Sequence, residues 1–351
     1  MPLTSLRTLG RSGLPVSPLT LGAMTLGNDD WGSGDDASAR ILHAYVDAGG
    51  NAVDTADVYS GGRSEELLGR LLAERGLRDR VVLATKYGFR SDGANPLAGG
   101  AGRKNLVRAL EGSLRRLGTD YVDLYWLHVW DRVTPAEEVL QALTDLVRAG
   151  KIRYYGFSDL PAWFATRVAT LAQAHGLPAP VGLQVEYSLV ERTVEREHVP
   201  AARALGMGVV PWSPLAGGFL AGKYERGTPP QPADGRLGGP NPFGDSKFTE
   251  RNFAVLDVLR EVAAEVGRPP AQVALAWLTR RPGVGTVLVG ARTEDQLTAN
   301  VAALEVELSP EQTSRLDRAS APEPAFPYPL FSDDDLRQAA VTGAPVAGWD
   351  D

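Results

Sequence analysis

The sequence predicts a closed (β/α)8 barrel, an α/β fold. Short apolar strand patterns alternate with amphipathic helical patterns along the chain, which is the signature of βαβ units and a parallel sheet. Seven or eight such units fit within about 300 residues, which favours one barrel over two doubly wound domains. No shift of composition marks a domain boundary, and no motif repeats.

Residues 6–21 (LRTLGRSGLPVSPLTL) read as a small hairpin turning at Ser12-Gly13, followed by a first strand over 18–21. A helix is expected over 37–47, a strand over 52–54, a helix over 64–74 and a strand over 81–86. Next come an amphipathic helix over 105–117, a strand over 122–128 and a helix over 134–149. That helix opens at Thr134-Pro135 and closes at Gly150, the asymmetry that a proline-initiated, glycine-terminated helix shows. The pattern continues with a strand over 152–157, a helix over 162–175, a strand over 181–185, a helix over 194–205 and a strand over 209–212. A long Gly/Pro-rich loop over 227–244 follows strand 7, and a loop of that length inside a compact domain is more often functional than connective. A helix over 271–280, a strand over 286–289 and a helix over 293–303 complete the pattern. The expectation is a single barrel domain spanning 1–351, with its core at about 6–305 and a C-terminal tail over 306–351. From Pro322 on the tail is Pro-rich, then acidic, and is expected to drape over the barrel or lack order.

Composition narrows the function. Of 351 residues 43% are apolar, enough for a sizeable core, and the net charge of −7 argues against nucleic acid and anionic membranes as partners. Cysteine is absent, which removes disulfides, thiolate catalysis and Cys-ligated zinc together, and fits a cytoplasmic protein. The N-terminus has no apolar h-region, and no apolar run approaches the ~18 residues of a membrane span. The four histidines, His43, His128, His175 and His198, show no metal-ligand spacing, so no metal is expected.

The chemistry is expected at strand ends. Residues 51–68 (NAVDTADVYSGGRSEELL) hold a strand that stops at Asp54, a loop with Tyr59 at its tip, a bend at Gly61-Gly62 and a helix that Ser64 is placed to cap. Glu65 and Glu66 suit that helix's positive end. Two other strands end alike, VVLATK at Lys86 and VDLYWLH at His128. Side-chain parity puts Ala52 with Asp54, Ala84 with Lys86, and Trp126 with His128. If those faces point inward, Asp54, Lys86 and His128 converge at the mouth under Tyr59, where barrels keep their active sites. Taken singly, each has a plain reading as a solvated rim residue or a packing aromatic. Together they make a proton donor for an oxygen gaining negative charge: an ammonium is expected to lower the phenol's pKa, and Asp54 to keep Lys86 charged.

Electrons need a cofactor. No G-x-G-x-x-G follows a strand, so a Rossmann module is not indicated. The stretch 217–224 (GGFLAGKY) satisfies G-x-x-x-x-G-K, but Tyr224 stands where Ser or Thr must ligate magnesium, so an ATPase is rejected. The loop and Lys223 still suit a pyrophosphate. Strand 286–289 runs into Gly290-Ala291-Arg292 and a helix opened by Thr293, an anion site at a helix N-terminus in the barrel's usual phosphate position.

The ordered motifs DTADVY with GGRSEELLG, ATKYG, DLYWLHVWD, RYYGFSDLPAW, LQVEYSLVER, WSPLAGGFLAGKY and VGARTEDQLTAN give the chain a named likeness. It resembles the aldo-keto reductases, in particular the bacterial aryl-alcohol-dehydrogenase-like branch, from the hairpin to the helix ending near Leu304. The resemblance implies NADPH-dependent reduction of an aldehyde or ketone, a small-molecule carbonyl substrate. It implies a catalytic tetrad of Asp54, Tyr59, Lys86 and His128, with Tyr59 as general acid. It places Ser158, Asp159 and Gln184 on the nicotinamide carboxamide and Trp212 under the ring. Ser213, Leu215, Gly217 and Lys223 would lie over the pyrophosphate. Gly290, Arg292, Gln296 and Asn300 would hold the adenosine and 2′-phosphate end, favouring NADPH over NADH. Two positions depart from the common pattern: Asp159 stands where many members have Asn, and Ala299 where many have an acid. An acceptor-only carboxylate bonds the carboxamide NH₂ and not its oxygen.

Met24, Trp31, Tyr87, Phe89 and Trp130 are expected in loops near the mouth, favouring an apolar or aromatic carbonyl, though loop aromatics also pack loops down. Two rivals remain. One is an NADPH-binding, redox-sensing regulatory subunit acting through a protein partner, as some relatives of this family do. The other is a Schiff-base aldolase using Lys86.

Overall fold

The computed structural model describes residues 1–28, 32–228, 237 and 247–330. Two compact units divide the chain, Met1–Ser320 and a second beginning at Ala321.

The first unit is the expected barrel. Strands β1 (Arg7–Thr8) and β2 (Pro15–Val16) form an antiparallel hairpin. Eight parallel strands follow: β3 (Leu19–Gly22), β4 (Ala52–Asp54), β5 (Val82–Tyr87), β6 (Val122–Leu127), β7 (Ile152–Ser158), β8 (Gly182–Glu186), β9 (Gly208–Trp212) and β10 (Val287–Val289). They lie in sequence order with β10 beside β3. Closure between β9 and the run into β10 comes from Val209, whose amide donates to Gly283 O at 2.8 Å and whose carbonyl accepts from Gly285 N at 2.9 Å.

Both faces of the sheet are buried, which is why the strands read as near-continuous apolar runs. Outward residues such as Val53, Leu83, Tyr125, Phe157, Leu183 and Val209 join the main core beneath the helices. Inward residues Ala52, Ala84, Leu124, Trp126, Val210 and Leu288 form a separate core. Leu9, Leu14 and Val16 of the hairpin segment belong to that inner core and close the bottom of the barrel. Trp126 fills the width of the interior because Gly156 and Gly182 leave room: a Cβ on either would come within 2.4 and 2.9 Å of its ring.

The helices are α1 (Asp35–Asp47), α2 (Arg63–Glu74), α3 (Arg103–Leu117), α4 (Ala136–Arg148), α5 (Ala162–Ala174), α6 (His198–Leu205), α7 (Glu250–Val266), α8 (Pro270–Thr279), α9 (Glu294–Ala302) and α10 (Pro310–Ala319). Three differences from expectation have physical causes. Ser64 does not cap α2: the N-cap is Gly62 in a left-handed conformation, and Ser64, already inside the helix, donates to Ala23 O at 2.8 Å. The stretch 194–205 splits into a 3-10 turn, Thr193–Glu195, and the shorter α6. Two helices, α7 and α10, were not anticipated. Thr249 caps α7 by accepting from Asn252 N, Gly267 closes it, and a full capping box of Ser309 and Gln312 opens α10. Helix α10 moves the end of the compact barrel from the expected 305 to Ser320. Asp317 accepts from Trp277 Nε1 at 2.8 Å and pairs with Arg281 at 3.0 Å, while Ser320 Oγ meets Arg192 Nη1 at 2.7 Å.

In the second unit Tyr328–Leu330 forms a 3-10 turn. The expected tail beyond Leu330, and the expected loop over 229–236 and 238–246, lie outside the described residues. No helix among the described residues is long and apolar enough to cross a membrane.

Candidate active site

Register brings the strand ends together. Asp54 lies opposite Ala84, and Lys86 opposite Trp126, so the inward parity of β4, β5 and β6 aims Asp54, Lys86 and the following His128 into the same mouth. Lys86 is fully buried and ion-paired with Asp54. Its Nζ also donates to Thr55 O at 2.9 Å and to Tyr59 Oη at 3.1 Å. Left-handed Ser60 and Gly61 (φ 49° and 65°) turn the chain sharply behind Tyr59. The rings of Tyr59 and His128 meet edge-on at 5.7 Å. The structure thus brings Asp54, Tyr59, Lys86 and His128 into one group.

Its electrostatics follow from burial and pairing. Burial disfavours the Lys86 ammonium, but the charges of Asp54 and Tyr59 and the hydrogen bonds to both outweigh it, and its pKa is raised. A Schiff-base role needs the neutral amine, so this environment opposes the aldolase reading. The Tyr59 phenol departs from expectation. Burial raises its pKa, Lys86 pulls it down, Asp54 pushes it up, and the net direction is upward. The phenol is therefore held in the protonated form a general acid needs. Burial, and then Lys86, push His128 well below its ordinary value, so its imidazole is neutral near pH 7. Its buried Nδ1 has no hydrogen-bond partner.

Two residues before Tyr59, the second Asp of DTAD supplies a further buried carboxyl. Asp57 is buried, its amide donates to Lys86 O at 3.2 Å, and neither carboxyl oxygen has a hydrogen-bond partner. Burial pushes its pKa up to about 7, the nearby Glu65 adds to the rise, and Arg116 and Arg108 oppose it. Glu65 is itself buried rather than simply facing the helix end: it accepts from Thr85 Oγ1 at 2.5 Å and from Arg116 Nε at 2.7 Å. A carboxyl raised on folding binds its proton in the folded chain but not in the unfolded one between its two pKa values. Stability is accordingly expected to fall as pH rises from ~4 to ~7, with a contribution of about 1.4 kcal/mol per pH unit from this group. Asp57→Asn should flatten that slope in urea unfolding across the range.

The expected cofactor residues occupy the next strand ends. Ser158 ends β7 opposite Gln184 of β8, and its buried Oγ has no hydrogen-bond partner. Asp159 follows with φ 46°, and accepts a 2.9 Å hydrogen bond from Nε1 of Trp212, the last residue of β9. Gln184 Nε2 reaches across the barrel to Asp54 Oδ2 at 3.0 Å, tying the two groups together. After β9, Ser213 (φ 51°) accepts the Gly217 amide on its Oγ at 3.2 Å. Leu215 O accepts from Gly218 N at 2.9 Å, and Lys223 Nζ lies over the Tyr224 ring, 5.1 Å from its centre. Beyond β10, Asn300 Nδ2 donates to Gly290 O at 3.2 Å, and the Arg292 amide donates to Gln296 Oε1 at 2.8 Å. The side chain of Arg292 is exposed. The first turn of α9 already carries Glu294 and Asp295, and Arg40 pairs with Glu294 at 3.0 Å.

The residues expected at the substrate end divide. Phe89 is exposed and meets His128 edge-on at 4.7 Å. Trp130 packs edge-on against Trp163 at 5.5 Å, and Met24 lies half-buried in the loop after β3. Tyr87 must be withdrawn from the mouth. It belongs to β5, where alternation turns it outward if Lys86 turns inward. It is fully buried in the outer core and stacks on Tyr125 at 4.9 Å. Trp31 lies outside the described residues. Among the described residues no cluster of His, Asp or Glu is placed to hold a metal ion.

The model of the Aldo/keto reductase family matches residues 18–321. The chain is 37% identical over 312 residues to the uncharacterized oxidoreductase YrpG of Bacillus subtilis, covering 86% of this chain and 92% of that protein. It is 35% identical over 336 residues to the aryl-alcohol dehydrogenase [NADP(+)] of Phanerodontia chrysosporium, covering 92% and 87%. It is 37% identical over 326 residues to a probable voltage-gated potassium channel subunit beta of Oryza sativa subsp. japonica, covering 91% and 97%.

Proposed function

The chain belongs to the aldo/keto reductase family and is an oxidoreductase acting on carbonyl groups, and from that premise we propose that it reduces aldehydes or ketones with NADPH, Tyr59 serving as general acid. One observation carries the reading: Lys86 Nζ, held by Asp54, stands 3.1 Å from Tyr59 Oη at the barrel mouth. The buried, unpartnered Ser158 Oγ beside Asp159, Gln184 and Trp212 fits a ligand amide, so these residues suit a nicotinamide. When bound, NADPH supplies a hydride for the carbonyl carbon.

This chain's residues do the rest. Tyr59 Oη donates a proton to the carbonyl oxygen as charge develops there. Lys86 stabilises the resulting phenolate, and Asp54 fixes the ammonium in place. Neutral His128 orients the substrate oxygen. Phe89 and Trp130 present apolar edges beside the site, favouring an aromatic or apolar carbonyl, and the likeness to an aryl-alcohol dehydrogenase supports that class. The test is cofactor oxidation followed against a panel of aromatic and aliphatic aldehydes, with NADPH and NADH in parallel. No turnover on any carbonyl would overturn the reading. Arg292→Ala should weaken NADPH binding by about 1–2 kcal/mol, on the order of tenfold, and leave NADH nearly unchanged.

The likeness to a potassium channel β subunit supports a second reading, an NADPH-binding redox-sensing subunit acting through a protein partner. Tight NADPH binding with slow turnover on every carbonyl, and a co-purifying partner, would favour it.

A further inference from the structure

Beside Trp212 stands a carboxylate, Asp159, that the proton-donating group does not use. Asp159 leaves the alternation of β7 through its left-handed backbone, and its side chain reaches Trp212 at the end of β9. Its backbone is held on both sides, the amide donating to Gln184 O at 3.3 Å and the carbonyl accepting from Trp130 N at 3.4 Å. Lys86 of β5 and Tyr59 on the loop after β4 feel its charge. Glu186 at the end of β8 repels it, and Glu186 pairs with Lys247 at 2.9 Å. Glu191 and His198 line a cleft with Asp159 and Trp212, of about 480 Å³. The ammonium of Lys86 is already matched by Asp54, and among the described residues no cation forms an ion pair with Asp159. Its carboxylate keeps an open side toward solvent in the cleft.

We infer that Asp159 selects the oxidation state of the nicotinamide cofactor, holding the cationic oxidised form more tightly than the neutral reduced form. The inference rests on the proposed reading of Ser158, Asp159, Gln184 and Trp212 as the nicotinamide site, with Asp159 and Trp212 also on the rim of that cleft. The two cofactor forms share every phosphate, sugar and base, and differ at the ring by one positive charge. A fixed carboxylate beside that ring therefore acts on their difference alone. The same carboxylate biases the enzyme-bound equilibrium toward the reduced carbonyl.

Asp159 titrates within reach of experiment. Surrounding protein pushes its pKa up to about 6, with the Trp212 hydrogen bond and Lys86 opposing, and solvent on the open side screens part of that rise. Loss of its proton as pH increases creates the charge. Affinity for the oxidised form should then rise with pH relative to affinity for the reduced form. The cofactor's own 2′-phosphate also titrates near pH ~6, but it is common to both forms and cancels in their ratio.

The test is titration of the full chain with NADP⁺ and with NADPH, followed by tryptophan fluorescence from about pH 5 to about pH 8. In the unsubstituted protein the ratio Kd(NADPH)/Kd(NADP⁺) should rise on the order of tenfold over that range. Asp159→Asn keeps an oxygen for the Trp212 N–H and removes the charge, so its ratio should stay low and flat. A ratio indifferent to pH, or a rise that persists in Asp159→Asn, overturns the inference while leaving the cofactor site standing. Failure of both forms to bind overturns the cofactor reading itself, and the inference with it. Should Asp159→Asn bind neither form, the pH profile of the unsubstituted protein decides alone.

Discussion

Tyr59→Phe is expected to lower kcat by about 10²–10⁴ while leaving the dissociation constant for NADPH within about twofold. The substitution removes one oxygen and almost no volume. The ring keeps its edge-on contact with His128, and Lys86 keeps Asp54 and Thr55 O as partners. What disappears is the hydroxyl proton held 3.1 Å from a fixed ammonium at the mouth. The pH profile adds a second check. Because burial outweighs Lys86 in setting the phenol's pKa, Tyr59 stays protonated through neutral pH. Carbonyl reduction by the unsubstituted protein should show no loss from this group until well into the alkaline range. Near-normal turnover by the phenylalanine variant, with cofactor oxidation followed at 340 nm, would remove Tyr59 from the role of acid. NADPH fluorescence in the same samples separates lost chemistry from lost binding.

The fold was legible because its signals are local. Alternating strand and helix patterns need only a few residues each, and parity along β4, β5 and β6 fixed which side chains share the barrel's interior. The same parity contained the correction at Tyr87: a neighbour of an inward lysine in a strand faces out, and reading Tyr87 as a loop residue set that rule aside. Helices α7 and α10 were readable in kind. Thr249 and Gly267 bracket one, and Ser309 with Gln312 is a capping box for the other. Other features depend on distant pairs that no local pattern encodes. Gln184 meets Asp54 across 130 positions of sequence, and Trp212 meets Asp159 across 53. The direction of the Tyr59 shift belongs to this class too, since it balances burial against a charge, and burial is set by the assembled barrel.

Lys86→Met should separate what holds the site from what makes it work. Methionine is close to lysine in length, so the void is small, but Asp54 is left buried with Gln184 as its side-chain partner. An uncompensated buried carboxylate costs about 3–5 kcal/mol, a large share of a typical domain's stability. The expected result is a marked drop in the urea midpoint together with loss of nearly all turnover. A double substitution, Asp54→Asn with Lys86→Met, removes the stranded charge while its amide oxygen still accepts from Gln184 Nε2. It should recover most of the lost stability and none of the lost turnover, because under the proposed mechanism no ammonium would remain to favour the phenolate left when Tyr59 gives up its proton. If the double variant instead regained activity along with stability, Lys86 would be no more than the partner of a buried acid, and the proton-donor reading of the site would fail.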